Sequence, residues 1–320
     1  MSSRPSRLIL MVLLSLTGCY GASPNGGKLP QAVVDESPPM VVVSISPLAW
    51  IVSELAGDAV ELIALMPEGA DPGIWSPDSM EIDQLLAADL IILNGASLEA
   101  WAQRLSLPIV RTIEVARACR DQWLRYPDVV THSHGPEGGT SYEGVAGHTW
   151  LDPQLLQCQA QVIRDRLIQL LPDERGDIES RWNGLEAKLT TLDEKMAQLA
   201  ASHPDLVLIG TGPFWIYPVH RMKWTLHRFD IDPQTEWNEG LSADLTRLLG
   251  SADTAPAGVI FWDQPPAAGL REGIEKQSGQ VSIVWPTAVS LGENYAQYLD
   301  LQFEAVDRLQ SAISGAAGPP

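Results

Sequence analysis

The sequence lacks the short motifs that mark common catalytic sites. It contains no glycine-rich phosphate-binding loop, no nucleophile elbow and no cysteine–histidine spacing typical of catalysis. Basic residues are also scarce: 21 lysines and arginines face 40 acids, and the formal net charge is −19. An acidic surface repels the phosphate backbone of nucleic acids, so we expect no nucleic-acid partner. The missing motifs predict that the protein is not an enzyme.

Cysteine is rare, with three in 320 residues, and the first of them follows an apolar run near the amino terminus. This run, residues 8–16, comes after two arginines and is too short to remain as a membrane-spanning helix, which is typical of an export signal. Leu16-Thr17-Gly18-Cys19 resembles the bacterial lipobox, in which the cysteine is lipidated. We predict a signal peptide at 1–18, a lipid anchor on Cys19 and a flexible tether at 19–39. The protein is then exported and held on a bacterial membrane, facing the periplasm or the cell exterior.

The other two cysteines, Cys119 and Cys158, would meet an oxidising compartment after export. They either form a disulfide or remain as buried thiols. The sequence leaves both states open.

Short apolar runs alternate with amphipathic stretches from Met40 onward, which is typical of α/β layers around a mostly parallel sheet. We predict two such lobes, at 40–172 and 204–320, joined by a long helix at 173–203. The apolar residues of this helix recur at alternating steps of four and three. They are Ile178, Trp182, Leu185, Leu189, Leu192, Met196 and Leu199. Ligands usually bind at the carboxyl ends of parallel strands, so the cleft between the lobes is the expected site of a solute receptor.

The individual runs predict the elements of each lobe. In the first lobe they predict strands at 40–45, 59–66, 89–93 and 107–113, and helices at 47–56, 78–87 and 98–104. In the second lobe they predict strands at 206–210, 223–229, 258–262 and 281–284, and helices at 214–221, 266–277 and 293–313.

A glycine-rich run between residues 131 and 148 carries three of the six histidines. His132 and His134 are two residues apart, and His148 lies at the far end, shortly before Asp152-Pro153, which predicts the start of a helix. Imidazole is a common zinc ligand, and a His-x-His pair in a flexible chain closes on one ion with little strain. The run is either a mobile arm that holds a metal or a solvated loop, and these residues alone do not decide between the two.

Motifs distributed along the chain are more specific together than singly. They are Gly69-Ala70-Asp71-Pro72, Trp75-Ser76-Pro77, Ala88-Asp89-Leu90, Asn94-Gly95, Leu98-Glu99, His148-Thr149-Trp150-Leu151-Asp152-Pro153, Pro213 with Trp215 and Tyr217, and Phe261-Trp262-Asp263. Together they resemble the zinc- and manganese-binding solute receptors of bacterial ABC importers, over nearly all of the chain from Met40. The resemblance implies two lobes joined by a long helix, zinc or a similar divalent metal as the ligand, an importer permease as the partner, and attachment to the membrane through the lipid.

Three histidines and one carboxylate normally hold the metal in that family, and one of these four positions keeps its ligand here. His148 matches. The other three positions correspond to Gly73, Gly212 and Trp285. A glycine has no side-chain donor atom, and an indole donates hydrogen bonds without ligating a metal. The resemblance therefore implies that the usual site cannot be assembled from this sequence.

Three hypotheses follow. In the first, which we favour, a metal site is rebuilt from His148, His132 and His134, with Asp263 or His227 as a further ligand. In the second, the cleft binds a small organic or chelated ligand instead of a bare ion. Aromatic walls suit such ligands, and the chain has 11 tryptophans and four phenylalanines. More than half of these tryptophans are nevertheless expected in the core. The predicted cleft-lining residues are Gly73, Trp75, Asn94, Glu99, Gly212, Trp215, Tyr217 and Trp285. In the third, the protein is a surface lipoprotein that acts through protein contacts and transports nothing.

Overall fold

The structure, a computed structural model, describes residues 37–126, 130–133, 139–142, 144–251 and 258–316. For 130–133, 139–142, 251 and 316 it describes the backbone alone. The chain from Pro38 onward forms one compact unit. None of the helices that the structure describes is long and apolar enough to span a membrane.

The first sheet has four parallel strands in the order β2-β1-β3-β4. Its strands are β1 (Met40–Val43), β2 (Glu61–Ala64), β3 (Leu90–Leu93) and β4 (Thr112–Glu114), and its helices are α1 (Ser46–Ala56) and α2 (Ser79–Ala87). The helix α2 begins at a capping box, because the Asp78 carboxylate accepts from the amide of Glu81 at 2.9 Å and the Glu81 carboxylate accepts from the amide of Asp78 at 2.7 Å.

Two predictions in this lobe need correction. The helix predicted at 98–104 is a short 3₁₀ turn, Ala100–Arg104. The strand predicted at 107–113 is reduced to β4, because Pro108 lacks an amide hydrogen and is followed by a second 3₁₀ turn, Ile109–Arg111. The other strands and helices predicted for this lobe are confirmed, with ends that shift by a few residues.

The histidine-bearing run contains a hairpin. Strands β5 (Val130–Ser133) and β6 (Gly139–Tyr142) pair in antiparallel register, with His132 opposite Thr140. This pairing was not predicted from the sequence, although valine, threonine and tyrosine favour extended backbone. The side chain of His132 and the whole of His134 lie outside the described residues.

Two long helices, α3 (Pro153–Leu170) and α4 (Arg175–Ser202), follow the hairpin. The helix α3 begins at Asp152 as predicted, and the Asp152 carboxylate accepts from the amide of Gln154 at 2.8 Å. With 28 residues, α4 is about 42 Å long. All seven apolar residues of its predicted stripe are buried, and they belong to one hydrophobic core that reaches from Val41 in the first sheet to Phe261 beyond the helix. The long helix therefore joins the two halves through a shared core.

The second sheet repeats the parallel arrangement in the order β10-β9-β7-β8. Its strands are β7 (Val207–Gly210), β8 (Thr225–Arg228), β9 (Val259–Trp262) and β10 (Val281–Val284). Its helices are α5 (Ile216–Met222), α6 (Glu239–Ser251), α7 (Ala268–Ser278) and α8 (Tyr298–Ala316). The predicted α/β architecture of two lobes and a long joining helix is confirmed, whereas α6 was not predicted.

A disulfide joins Cys119 to Cys158 on α3, which resolves the alternative that the sequence left open. The bond closes a chain segment of 39 residues that contains both the hairpin and His148. Cross-linking a loop of this length restricts the unfolded chain, so we expect the disulfide to stabilise the fold by about 4 kcal/mol.

Candidate functional site

A cavity of about 270 Å³ opens between loops that follow strands of both sheets. The first sheet contributes residues 68–72, which come after β2. The second contributes Phe214 after β7, Asp263 and Gln264 after β9, and residues 286–291 after β10. His148 completes the wall. The carboxyl ends of the parallel strands thus form the site, as expected for α/β proteins.

His148 is almost fully buried, with 1% of its surface exposed, although it lines the cavity. Its ring lies 4.9 Å from the ring of Trp150 and 4.9 Å from that of Phe214, measured between centroids. Trp150 belongs to the 3₁₀ turn Thr149–Leu151 that immediately follows His148. Two aromatic side chains, one from each lobe, therefore hold the imidazole in place.

The backbone on both sides of His148 is fixed by one buried amide. Asn94 donates through Nδ2 to the Gly147 carbonyl at 3.0 Å and accepts through Oδ1 from the Thr149 hydroxyl at 3.0 Å. Gln159 on α3 donates to the same hydroxyl at 2.5 Å. Asn94 was expected to line the cleft, but it is buried beneath the His148 segment and acts as a positioning residue.

Asn94 is in turn held by Glu99. The Glu99 carboxylate accepts from the Ser44 hydroxyl at 2.6 Å and from the amides of Asn94 and Gly95 at 2.7 and 2.9 Å. Burial raises the pKa of Glu99, and these three hydrogen bonds oppose the rise. Glu99 also lies away from this cavity, so its predicted role as a cleft-lining residue is corrected to one of support.

Gly147 is a positioning residue that the sequence did not reveal. A Cβ atom at this position would lie 3.0 Å from Cδ1 of Leu98, which is closer than real Cβ contacts normally come. The turn that carries Leu98 includes Ala96 and Ser97 at φ values of 51° and 65°, in the left-handed region that glycine prefers. The close approach of this strained turn to Gly147 helps to set where His148 stands.

Hydrogen bonds cross the cavity and tie the loop after β10 to the first lobe. Trp150 Nε1 donates to the Thr287 carbonyl at 2.8 Å, and the Ser290 hydroxyl donates to the Ala70 carbonyl at 2.9 Å. The amide of Ser46 donates to the Val289 carbonyl at 3.0 Å. These contacts hold both walls of the cavity at a defined separation.

The aromatic residues predicted to line the cleft lie in the core instead. Trp215, Tyr217 and Trp285 are each at most 1% exposed, because large rings gain most free energy from burial. Trp215 Nε1 donates to the Trp285 carbonyl at 3.1 Å, and Tyr217 donates to the Ala146 carbonyl at 2.8 Å. Trp75 packs edge-on against the ring of Trp101, with centroids 5.8 Å apart. The aromatic-walled cleft is therefore wrong for Trp215, Tyr217 and Trp285, whereas Trp75 is half-buried and is not part of the cavity wall beside His148.

The two glycines at the family's ligand positions stand in different surroundings. Gly73 is exposed, and its amide donates to the Asp71 carboxylate at 2.7 Å, which turns the loop beside the cavity. Gly212 is buried between β7 and Phe214.

His148 and Asp263 share the cavity wall, together with Glu68 and Asp71. His227, offered as a further ligand, lines a different cavity beside His220, so the structure does not bring it to His148. In the parts of the chain that the structure describes, no group of three histidine, cysteine, aspartate or glutamate side chains is placed to hold a metal ion. The contribution of His132 and His134 stays a prediction.

The cavity wall also contains residues that the sequence did not single out. Glu68, Phe214, Gln264 and Thr287 reach it because each follows a strand at the carboxyl edge of a sheet. The sequence places each of them after an apolar run, which indicates a loop at the end of a strand. It does not indicate which residues of these loops face the cavity.

Two parallel α/β sheets, a long joining helix and a cavity between strand-end loops define the class of two-lobed solute-binding proteins. The chain belongs to the family described as zinc-uptake complex component A, periplasmic (ZnuA), whose model matches residues 41–312. The resemblance inferred from the motifs is thereby confirmed.

Relatives and solved structures agree with this family. The metal ABC transporter substrate-binding lipoprotein SsaB of Streptococcus sanguinis is 28% identical over 65% of each chain. The manganese-binding lipoprotein MntA of Halalkalibacterium halodurans is 23% identical over 97% of this chain and 98% of its own. The crystal structure of Zn(II)-bound AdcA from Streptococcus pneumoniae superposes with a TM-score of 0.70 at 17% identity, over 86% of this chain and 58% of that one. The chain thus spans less than two thirds of SsaB and AdcA, and the AdcA likeness concerns the fold.

Proposed function

We propose that the chain is the solute-binding lipoprotein of a zinc- or manganese-type ABC importer. It captures a divalent metal in the cavity between its lobes and delivers it to the importer permease. The observation that carries this proposal is His148, a ligand suited to such metals, which is buried, fixed on both sides and directed at a cavity that carboxylates share. The names of SsaB and MntA, a metal transporter lipoprotein and a manganese-binding lipoprotein, support the same class of cargo.

The protein acts by binding and release, without catalysis and without nucleic acid. It is exported through the signal at 1–18, anchored by lipid on Cys19 and held off the membrane by the tether at 19–39. The lobes at 40–172 and 204–320, joined by the helix at 173–203, then face the periplasm or the cell exterior. His148 and Asp263 serve as ligands, together with His132 and His134.

Metal content tests the proposal. The mature chain with Cys19→Ser, which removes the lipid acceptor, is produced without a histidine tag in rich medium and assayed by mass spectrometry of its metals. We expect close to one zinc or manganese per chain, and a loss of at least tenfold in His148→Ala. His220→Ala is the matched control, since His220 is exposed and lies outside the cavity. Metal-free protein in every preparation would refute the function.

A further inference from the structure

The donors that the described residues offer do not fit a bare ion. Zinc takes at least three protein ligands in known classes of site. Trp285 occupies the position of the family's carboxylate, and its indole Nε1 donates to the Gln302 side chain at 2.9 Å inside the core. Gly73 and Gly212 supply no side chain, and the described residues form no three-ligand group. A metal next to His148 therefore needs donor atoms from outside the described residues.

The cavity borders a much larger groove. A space of about 1,220 Å³ runs along the edge strand β10 between α7 and α8. It shares five wall residues with the His148 cavity, namely Glu68, Asp263, Gln264, Pro286 and Leu291. The two spaces are thus adjacent, and together they exceed what an ion requires.

Two buried polar atoms in the groove wall have no hydrogen-bond partner among the described residues. They are Nε1 of Trp262 and the hydroxyl oxygen of Ser282. Trp262 pairs with Val284 in the register of β9 and β10, so Trp262 and Ser282 lie on the same face of the sheet. An indole N–H can only donate, and a hydroxyl donates or accepts. Both atoms suit an oxygen acceptor such as a carboxylate, a carbonyl or a hydroxyl group.

The groove does not provide an open sheet edge for a peptide strand. The amide of Ser282 donates to the Glu275 carboxylate at 2.8 Å, and its carbonyl accepts from Arg271 at 3.3 Å. The carbonyl of Val284 accepts from Arg308 at 3.2 Å. Because side chains already satisfy these three outward backbone groups of β10, strand addition is disfavoured and a small molecule is the better occupant.

We infer that the cargo is a metal chelate, a divalent metal already bound by a small organic ligand rich in oxygen acceptors. The metal lies beside His148, and the organic part extends past Asp263 into the groove, where it accepts from Trp262 and pairs with Ser282. The chelator, in place of His132 and His134, supplies the ligands that Gly73, Gly212 and Trp285 do not. This inference rests on the proposed function and specifies its substrate class.

Equilibrium dialysis of the mature Cys19→Ser chain tests the inference with three probes: zinc alone, zinc citrate and zinc histidinate. Zinc and the isotope-labelled chelator are quantified separately. We expect zinc and at least one chelator to be retained together in equal amounts, with an affinity at least tenfold higher than that for zinc alone.

Two variants locate the organic part. Trp262→Phe removes the unpartnered N–H and Ser282→Ala removes the hydroxyl, and each is expected to weaken chelate binding about tenfold, the worth of one hydrogen bond of about 1.4 kcal/mol. Trp101→Phe is the matched control: Trp101 Nε1 is also buried and without a partner among the described residues, but it lies in the first-lobe core. Thermal unfolding of each variant verifies that it is folded.

The outcomes separate the two proposals. Zinc bound equally well without a chelator would overturn the inference and leave the importer function standing. Retention of none of the three probes would overturn the inference, while metal in the protein isolated from rich medium would still support the function. Co-retention that is unchanged in both Trp262→Phe and Ser282→Ala would overturn the placement in the groove.

Discussion

Asn94 provides the most direct test of how the fold positions the candidate metal ligand. Its side chain donates to the carbonyls of Gly95 and Gly147 at 2.9 and 3.0 Å and accepts from the Thr149 hydroxyl at 3.0 Å. Substitution by alanine removes all three hydrogen bonds from a fully buried position. With about 1 kcal/mol for each, we expect Asn94→Ala to lower the free energy of unfolding by about 3 kcal/mol.

Calorimetry measures this effect as a fall in melting temperature of roughly 6–9 °C for a domain of this size. Metal retention should fall as well, because the segment that carries His148 loses its restraint on both sides. Asn183→Ala, at an exposed position on α4, is the control and should change the free energy of unfolding by less than about 0.5 kcal/mol. A loss below about 1 kcal/mol in Asn94→Ala, or metal retention equal to that of the control, would show that the amide does not hold the site.

Three further predictions concern other buried or covalent features. Burial raises the pKa of Glu99 above its ordinary value of 4.5, so the folded state keeps this proton to higher pH than the unfolded chain does. The contribution of this proton to stability is complete below pH 4.5 and is lost as the pH rises through the raised pKa. When the pH is lowered from 7 to 4.5, the free energy of unfolding measured in urea should therefore increase less in Glu99→Gln than in the wild type. An equal increase in both proteins would contradict the assignment. Replacing Cys119 and Cys158 together by serine should lower the free energy of unfolding by about 4 kcal/mol, and an unchanged urea midpoint would refute that role. Cys19→Ser should release the exported protein from the membrane fraction in cell fractionation, whereas continued sedimentation with membranes would argue against a lipid anchor on Cys19.

Local patterns were sufficient for most of the fold. The apolar runs at β1, β3, β9 and β10 are short and contain β-branched residues, which is the pattern typical of strands in a buried parallel sheet. The stripe on α4 repeats with the period of a helix, so its burial could be predicted without knowing its partners. The helix α6 escaped prediction because glycines at both of its ends weaken the same kind of signal.

The cavity depended on contacts between distant parts of the chain. Histidine at position 148 was identifiable as a candidate ligand, but its restraint by Asn94 spans more than 50 residues in sequence. Trp215 and Trp285 have the same residue type as Trp262, yet their indole groups are satisfied in the core whereas that of Trp262 has no described partner in the groove wall.

The sequence by itself determined most of the elements and the residue types able to bind a metal, because periodicity and side-chain chemistry are local properties. The tertiary structure decided which side chains face the cavity, which support it from behind, and that the cavity lies next to a groove. Those outcomes depend on how strands and helices far apart in the chain pack against one another, and no local pattern records that packing.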